Sequence, residues 1–286
     1  MNRTIIVADS TSDIPPALAE SNHIEIIPLK LMFGEETFLD GVEMTPEQFY
    51  DRLPRAQQLP TTSQPSPLAY MEVYRDIMRR YPGSPVLSFH ISSGLSGTYQ
   101  AAVMAKDMLE EEGANITVVD SLSASYGFGF MVVQAARWAN EGKGPEEILR
   151  LAEELRQSRK LYFLVDTLEY LQKGGRIGKA SAFLGTLLNI KPILSIDADG
   201  IIYAVEKVRG RKKAVARMIE LFKTDLPGVT KINVAVGHTA EPASGEEFLK
   251  ELSEHFTLEE QVLTNIGPVV GSHVGNGTLA VFIWPA

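Results

Sequence analysis

The stretch FHISSGLSGTYQ, Phe89 to Gln100, sets Ser92, Ser93, Ser96 and Thr98 among glycines, directly after an apolar run, and holds no Lys or Arg. Hydroxyls and main-chain N–H groups donate hydrogen bonds, and Gly94 and Gly97 let a ligand approach the backbone closely. A second hydroxyl cluster, Thr61-Thr62-Ser63, lies in PTTSQPS, a segment stiffened by flanking prolines. His273 sits among Gly271, Gly275 and Gly277 ahead of the last apolar run. Its imidazole can donate to an anion whether neutral or protonated. Such donors suit a carboxylate held without a formal cation, each charge-assisted bond contributing about 1.5–3 kcal/mol. Ordinary helix capping is the competing account for any single Ser or Thr.

The elements that must position these residues alternate between strand and helix. TIIVAD (4–9), PVLSFHI (85–91) and ITVVD (116–120) read as strands, and each runs into hydroxyls: Ser10-Thr11-Ser12, Ser92-Ser93 and Ser121. If these strands are parallel neighbours, their carboxyl ends gather the hydroxyls in the crevice where open α/β sheets bind ligands. Helices starting there add free N–H groups and the positive end of their dipoles. Asp9 and Asp13 read as caps. Residues 24–33 read as one strand, irregular at Pro28, and 59–67 as a loop. From Lys160 onward a strand, two short helices around Gly174-Gly175, a hairpin turning at Asp199-Gly200 and a β-α-β-β order follow. A lobe boundary is expected near 158–160, which makes 1–159 and 160–286 two α/β lobes.

Composition removes other classes. The 286 residues carry 27 Lys and Arg against 36 Asp and Glu, a net charge of -9 that argues against nucleic-acid binding. With no cysteine there is no disulfide, thiolate metal site or cysteine nucleophile. The five histidines are scattered, so no metal is expected. The apolar run before Asp9 is too short for a signal peptide, and none reaches the roughly 18 residues of a membrane span. A soluble, cytoplasmic protein without membrane insertion is the expectation. Gly94-Leu95-Ser96-Gly97-Thr98 misses the last glycine of a hydrolase elbow, and GGRIGKAS fails the phosphate-loop pattern in spacing and at its hydroxyl. Binding is favoured over turnover. The alternative is a serine esterase or thioesterase using Ser93 or Ser96 with His273.

The longer motifs, ADSTSDIP (8–15), PTTSQPSP (60–67), ISSGLSGTYQAA (91–102), LEYLQKGGRIG (168–178), RGRKKA (209–214) and IGPVVGSHVGNGTLAV (266–281), resemble the DegV family in order along nearly the whole chain, 3–284. The resemblance implies a two-lobed α/β fold, each lobe a mostly parallel sheet flanked by helices, with a long-chain fatty acid buried near the lobe interface. It implies no catalytic residue and no cofactor beyond the bound acid. The carboxylate-binding positions it carries over are Thr62, Ser93 and His273, with Ser63, Ser92 and Ser96 as neighbours. It implies further that a separate ATP-binding kinase subunit acts on the bound acid, with Arg176, and more weakly Arg209, on the face toward that subunit. Burial of an acyl chain contributes about 0.8 kcal/mol per methylene, so the tail should dominate affinity. Phe128, Phe130, Leu164, Leu168 and Leu171, with Ile177, Phe183, Leu184 and Leu187, are the wall candidates.

Overall fold

A computed structural model describes residues 3–184 and 189–286. The chain begins with β1 (Ile5–Asp9), a 3-10 turn at Ser10–Ser12, α1 (Pro16–Ser21) and β2 (Glu25–Ile27). β3 (Lys30–Phe33), β4 (Glu36–Leu39), α2 (Pro46–Arg52) and β5 (Thr61–Ser63) follow. Then come α3 (Pro67–Arg80), β6 (Val86–His90), α4 (Thr98–Met108), β7 (Ile116–Asp120), α5 (Tyr126–Asn140) and α6 (Pro145–Ser158). The remainder holds β8 (Lys160–Leu164), α7 (Glu169–Lys173), β9 (Ile190–Ile196), β10 (Ile202–Arg209), α8 (Arg211–Asp225) and β11 (Lys231–His238). It closes with α9 (Pro242–Ser253), β12 (Thr257–Asn265), α10 (Pro268–Val274) and β13 (Leu279–Pro285).

The first sheet has the order β2-β1-β6-β7 and every pair in it is parallel. β1 and β6 are buried along their whole length, as strands covered on both faces must be. Their hydroxyl-bearing ends therefore do lie side by side. The second sheet, β10-β9-β8-β13-β11-β12, is mixed rather than mostly parallel: β11 and β12 alone run the same way among its described pairs. Alternation of strands and helices shows that helices cover a sheet; it does not show which strands become neighbours.

Residues 24–33 are not one strand. Pro28 has no N–H to continue a ladder, so β2 stays in the first sheet while β3 leaves it for a small antiparallel sheet, β4-β3-β5. Thr61–Ser63, expected as loop, is the short β5, and Leu31 pairs with Thr62. A three-residue strand carries no readable period.

Helix α5 is wedged between the two large sheets. Its sequence YGFGFMVV is apolar around most of the helix and buried throughout. Phe130 stacks on Trp284 of β13 with ring centroids 4.0 Å apart. A Cβ on Gly127 would lie 2.6 Å from the Phe282 ring, and one on Gly129 would lie 2.3 Å from the Ser12 carbonyl oxygen. Glycine lowers helix propensity by roughly 1 kcal/mol, and here it allows the helix close approach to β13 on one side and to the turn after β1 on the other. Gly129→Ala is therefore expected to lower stability by about 1–3 kcal/mol although Ala is the better helix former. Urea unfolding checks this, and an unchanged or raised midpoint would show that α5 has room.

Candidate ligand-binding site

The cavity between the lobes holds about 850 Å3 of free space, counted out into the solvent at its open mouth. Its wall is mostly apolar. Leu161 and Phe163 of β8 point into it, as do Ala280 and Phe282 of β13. These are cross-strand partners, Leu161 with Phe282 and Phe163 with Ala280, so one face of the second sheet forms the floor. Ile196 and Ile202 extend the floor across the hairpin, and α10 covers it with Val269, Val270 and Val274.

The wall differs from the sequence expectation. Leu171 lines the cavity, whereas Phe128, Phe130 and Leu168 are spent in the core. Leu164 projects to the opposite face of the sheet, into the cluster under α8 and α9. Alternation along β8 explains this: choosing Leu164 selects the wrong parity, and 161 and 163 are the residues facing the cavity. Ile177 and Phe183 pack beside the core and Leu184 is exposed, and none of the three lines the cavity. Leu187 lies outside the described residues.

Thr11, Ser125 and Thr278 add hydroxyls to the wall, and a larger polar group, the polar pole, surrounds His273. Thr62 Oγ1 and His273 Nε2 are 3.0 Å apart, and both line the cavity. Ser96 lines it too, just before α4, with its Oγ 2.7 Å from Thr98 Oγ1. Gln64, exposed at the mouth, adds an amide. Its side chain lies against Gly97, where a Cβ would come within 2.5 Å of Nε2. The other expected hydroxyls are elsewhere. Ser92 is buried and donates to the Gly200 carbonyl at 2.8 Å, tying its loop to the hairpin. Ser93 is exposed, with its N–H on Asp120 Oδ1 at 3.2 Å. Ser63 is exposed and donates to the Gln64 carbonyl at 3.2 Å. Ser63, Ser92 and Ser93 are absent from the cavity wall.

The pole is not cation-free. Arg176 lines the cavity, half-buried, with Nε donating to the Leu95 carbonyl at 3.0 Å and Nη1 to the Gly174 carbonyl at 2.7 Å. No carboxylate lies within 4 Å of it among the described residues. The cation missing from the 89–100 stretch comes from the turn after α7. Arg209 ends β10, exposed and away from the cavity.

His273 occupies the last turn of α10. Burial, helped by the Arg176 charge, pushes its pKa down to about 4. The ring is neutral at physiological pH. Nδ1 is buried without a partner, so we place the proton on Nε2, where it donates to Thr62 Oγ1. The Thr62 hydrogen is then free to point at a ligand. Neither Ser93 nor Ser96 bonds to His273, so the pairing that a serine hydrolase needs is not formed. A Ser–His–Asp array does exist elsewhere. Ser88 Oγ is 2.8 Å from His90 Nε2, and His90 Nδ1 is 3.1 Å from Asp9 Oδ2. All three are fully buried and Tyr74 donates to Ser88, so this array is structural.

Gln64 and Arg176 were legible as residue types inside quoted motifs, but their inward placement was not. Because the folded pKa of His273 lies below its ordinary value near 6.5, the unfolded chain takes up a proton as pH falls toward 4 and the folded one does not. This group's contribution to stability is present above pH 6.5 and is lost between there and about 4. His273→Gln should flatten that part of the stability-versus-pH curve, and NMR titration should show the ring still neutral at pH 5. A ring that titrates near 6.5 would contradict the burial argument.

The comparisons with known proteins bear on the family and the fold. The family model described as "Uncharacterised protein, DegV family" matches residues 3–286. Protein DegV of Bacillus subtilis (strain 168) is 35% identical over 277 residues, spanning 96% of this chain and 97% of its own. A structure described as fatty acid binding of a DegV family protein from Thermus thermophilus superposes with a TM-score of 0.91 at 36% identity, covering 99% of this chain and 100% of the other. DegV of Bacillus subtilis, described as a fatty acid binding protein, gives 0.89 at 34% identity with both chains fully covered. A stearic acid-binding protein from Eubacterium ventriosum gives 0.89 at 30%, covering 100% and 98%. With the family model, the relatives and the fold in agreement over nearly its whole length, the chain belongs to the DegV family.

Proposed function

We propose that this protein binds a long-chain fatty acid, with the carboxylate at the Thr62–His273 pole and the hydrocarbon along the floor formed by β8 and β13. The observation that carries this is Arg176, a half-buried guanidinium on the wall of a mostly apolar cavity, without a carboxylate partner among the described residues. An anion with an apolar body satisfies both features at once. The solved relatives described as fatty-acid-binding support the same ligand class. The headgroup donors are Thr62, whose hydroxyl neutral His273 orients, Ser96 and the Arg176 cation, with Gln64 at the mouth. Ser63, Ser92 and Ser93 then act by shaping the loops.

Each methylene buried contributes about 0.8 kcal/mol, so the tail supplies most of the affinity and the pole fixes orientation. Mass spectrometry of lipids extracted from the purified protein should find a fatty acid. Thr62→Ala, His273→Ala and Arg176→Gln should each weaken its binding by about 10- to 100-fold, measured by calorimetry, since Thr62 and Arg176 bond the charged group directly and His273 aims the Thr62 hydroxyl at it. Fatty acid affinity unchanged in all three would overturn the site.

The finer reading is that the bound acid is presented to a separate ATP-binding subunit that phosphorylates the carboxylate. Arg209 supports it, being an exposed cation outside the cavity, without an ion-pair partner among the described residues. Arg209→Glu should leave fatty acid affinity intact while slowing acyl phosphate formation by an added kinase subunit. Unaltered turnover would remove Arg209 from that role.

A further inference from the structure

Asp13 reads as a cap in the sequence, but its side chain reaches into the other lobe. Oδ1 accepts the Gly267 N–H at 2.9 Å, immediately before α10, and Oδ2 accepts the Ser125 hydroxyl at the start of α5. Its carbonyl accepts from Thr264 Oγ1 of β12 at 2.8 Å. Asp13 makes these contacts from a left-handed backbone, φ 49°, a conformation that costs a non-glycine residue energy and persists where its surroundings hold it. Asp40 stands beside it. Its Oδ1 accepts from Val269 N at 3.4 Å and its Oδ2 from Ser10 Oγ at 2.6 Å. Tyr50 of α2 donates to the Ile266 carbonyl at 2.9 Å. Asp13 and Asp40 are both buried.

All of these groups act on residues 266–269, the entrance to α10. That helix is seven residues long and ends in His273 and Val274. It has little freedom along its length. A Cβ on Gly271 would lie 2.4 Å from Tyr50 Oη, and one on Gly174 would lie 2.3 Å from His273 Nδ1. A packed helix this short moves as a unit, so a shift at its start is carried to the imidazole. We propose that Asp13 and Asp40 are positioning residues for the headgroup pole: from the first lobe they hold the start of α10 and thereby set where His273 points. The inference deepens the fatty-acid reading and rests on it for the affinity measurement alone.

The charges around the pair are Asp9 on β1 and the two carboxyls themselves, with the Tyr50 hydroxyl on α2; no cation acts on either among the described residues. Burial raises both carboxyls, Asp40 to about 6 and Asp13 well above its ordinary value. Ionisation of Asp40 therefore falls in an accessible pH range, and it changes the partner offered to the Val269 N–H.

The test is made on the full-length protein, with the ring signals of His273 followed by NMR and assigned by their loss in His273→Gln, and with palmitic acid as the binding probe. Asp13→Ala should move those signals in the ligand-free protein and weaken palmitic acid binding about tenfold. Asp13→Asn, which keeps an acceptor for Gly267, should restore most of both. Gly267→Ala, whose Cβ would fall 2.6 Å from Asp13 Oδ1, should mimic Asp13→Ala with every carboxyl retained, and it serves if Asp13→Ala does not fold. The wild type should show a step in the His273 signals near pH 6 that disappears in Asp40→Asn. Wild-type ring signals and affinity in a folded Asp13→Ala or Gly267→Ala, or a step that survives Asp40→Asn, overturn the proposal. If the wild type does not bind palmitic acid, the fatty-acid reading fails and the ring signals alone decide the positioning role.

Discussion

The 3.0 Å hydrogen bond between Thr62 and His273 joins residues 211 positions apart and closes the polar end of the cavity. Each partner depends on a separate feature of the fold. Thr62 is fixed because Pro28 ends the first-sheet strand and sends β3 out to pair with β5. His273 is fixed because α10 is seated on α2 and on two buried carboxyls of the first lobe.

Charge and burial act together at that pole. Arg176 makes two hydrogen bonds to backbone carbonyls, which hold its guanidinium without neutralising it. The same cation helps keep His273 neutral, so the site holds one positive charge rather than two. A single negative ligand balances that charge. The chain as a whole is acidic, at -9, so the cavity is a local exception to the protein's own charge balance.

The buried Ser88–His90–Asp9 array shows why residue types and distances do not suffice for chemistry. Its spacing meets the geometry of a hydrolytic triad, yet the three residues sit under α3 with no ligand space beside them. Thr62, Ser96 and His273 have less regular spacing and lie on open space. Access separates the two clusters.

Much of the architecture is legible in the sequence. The β-branched runs ending in Ser10, Ser92 and Ser121 mark strands whose ends converge, because buried parallel strands are continuous apolar runs and their hydroxyl-capped ends are local features. The long motifs are enough to mark the family. What only the tertiary structure decided is which hydroxyls line the cavity. Ser92 and Ser96 are four residues apart in one loop, and a contact with Gly200 turns the first away while the second stays on the cavity wall. The same holds for Leu161 and Phe163 against Leu164, for the mixed pairing of the second sheet, and for Arg176 turned inward. Local sequence sets backbone preference and strand parity, but the direction a side chain faces is set by partners far along the chain, and nothing within a short window encodes them.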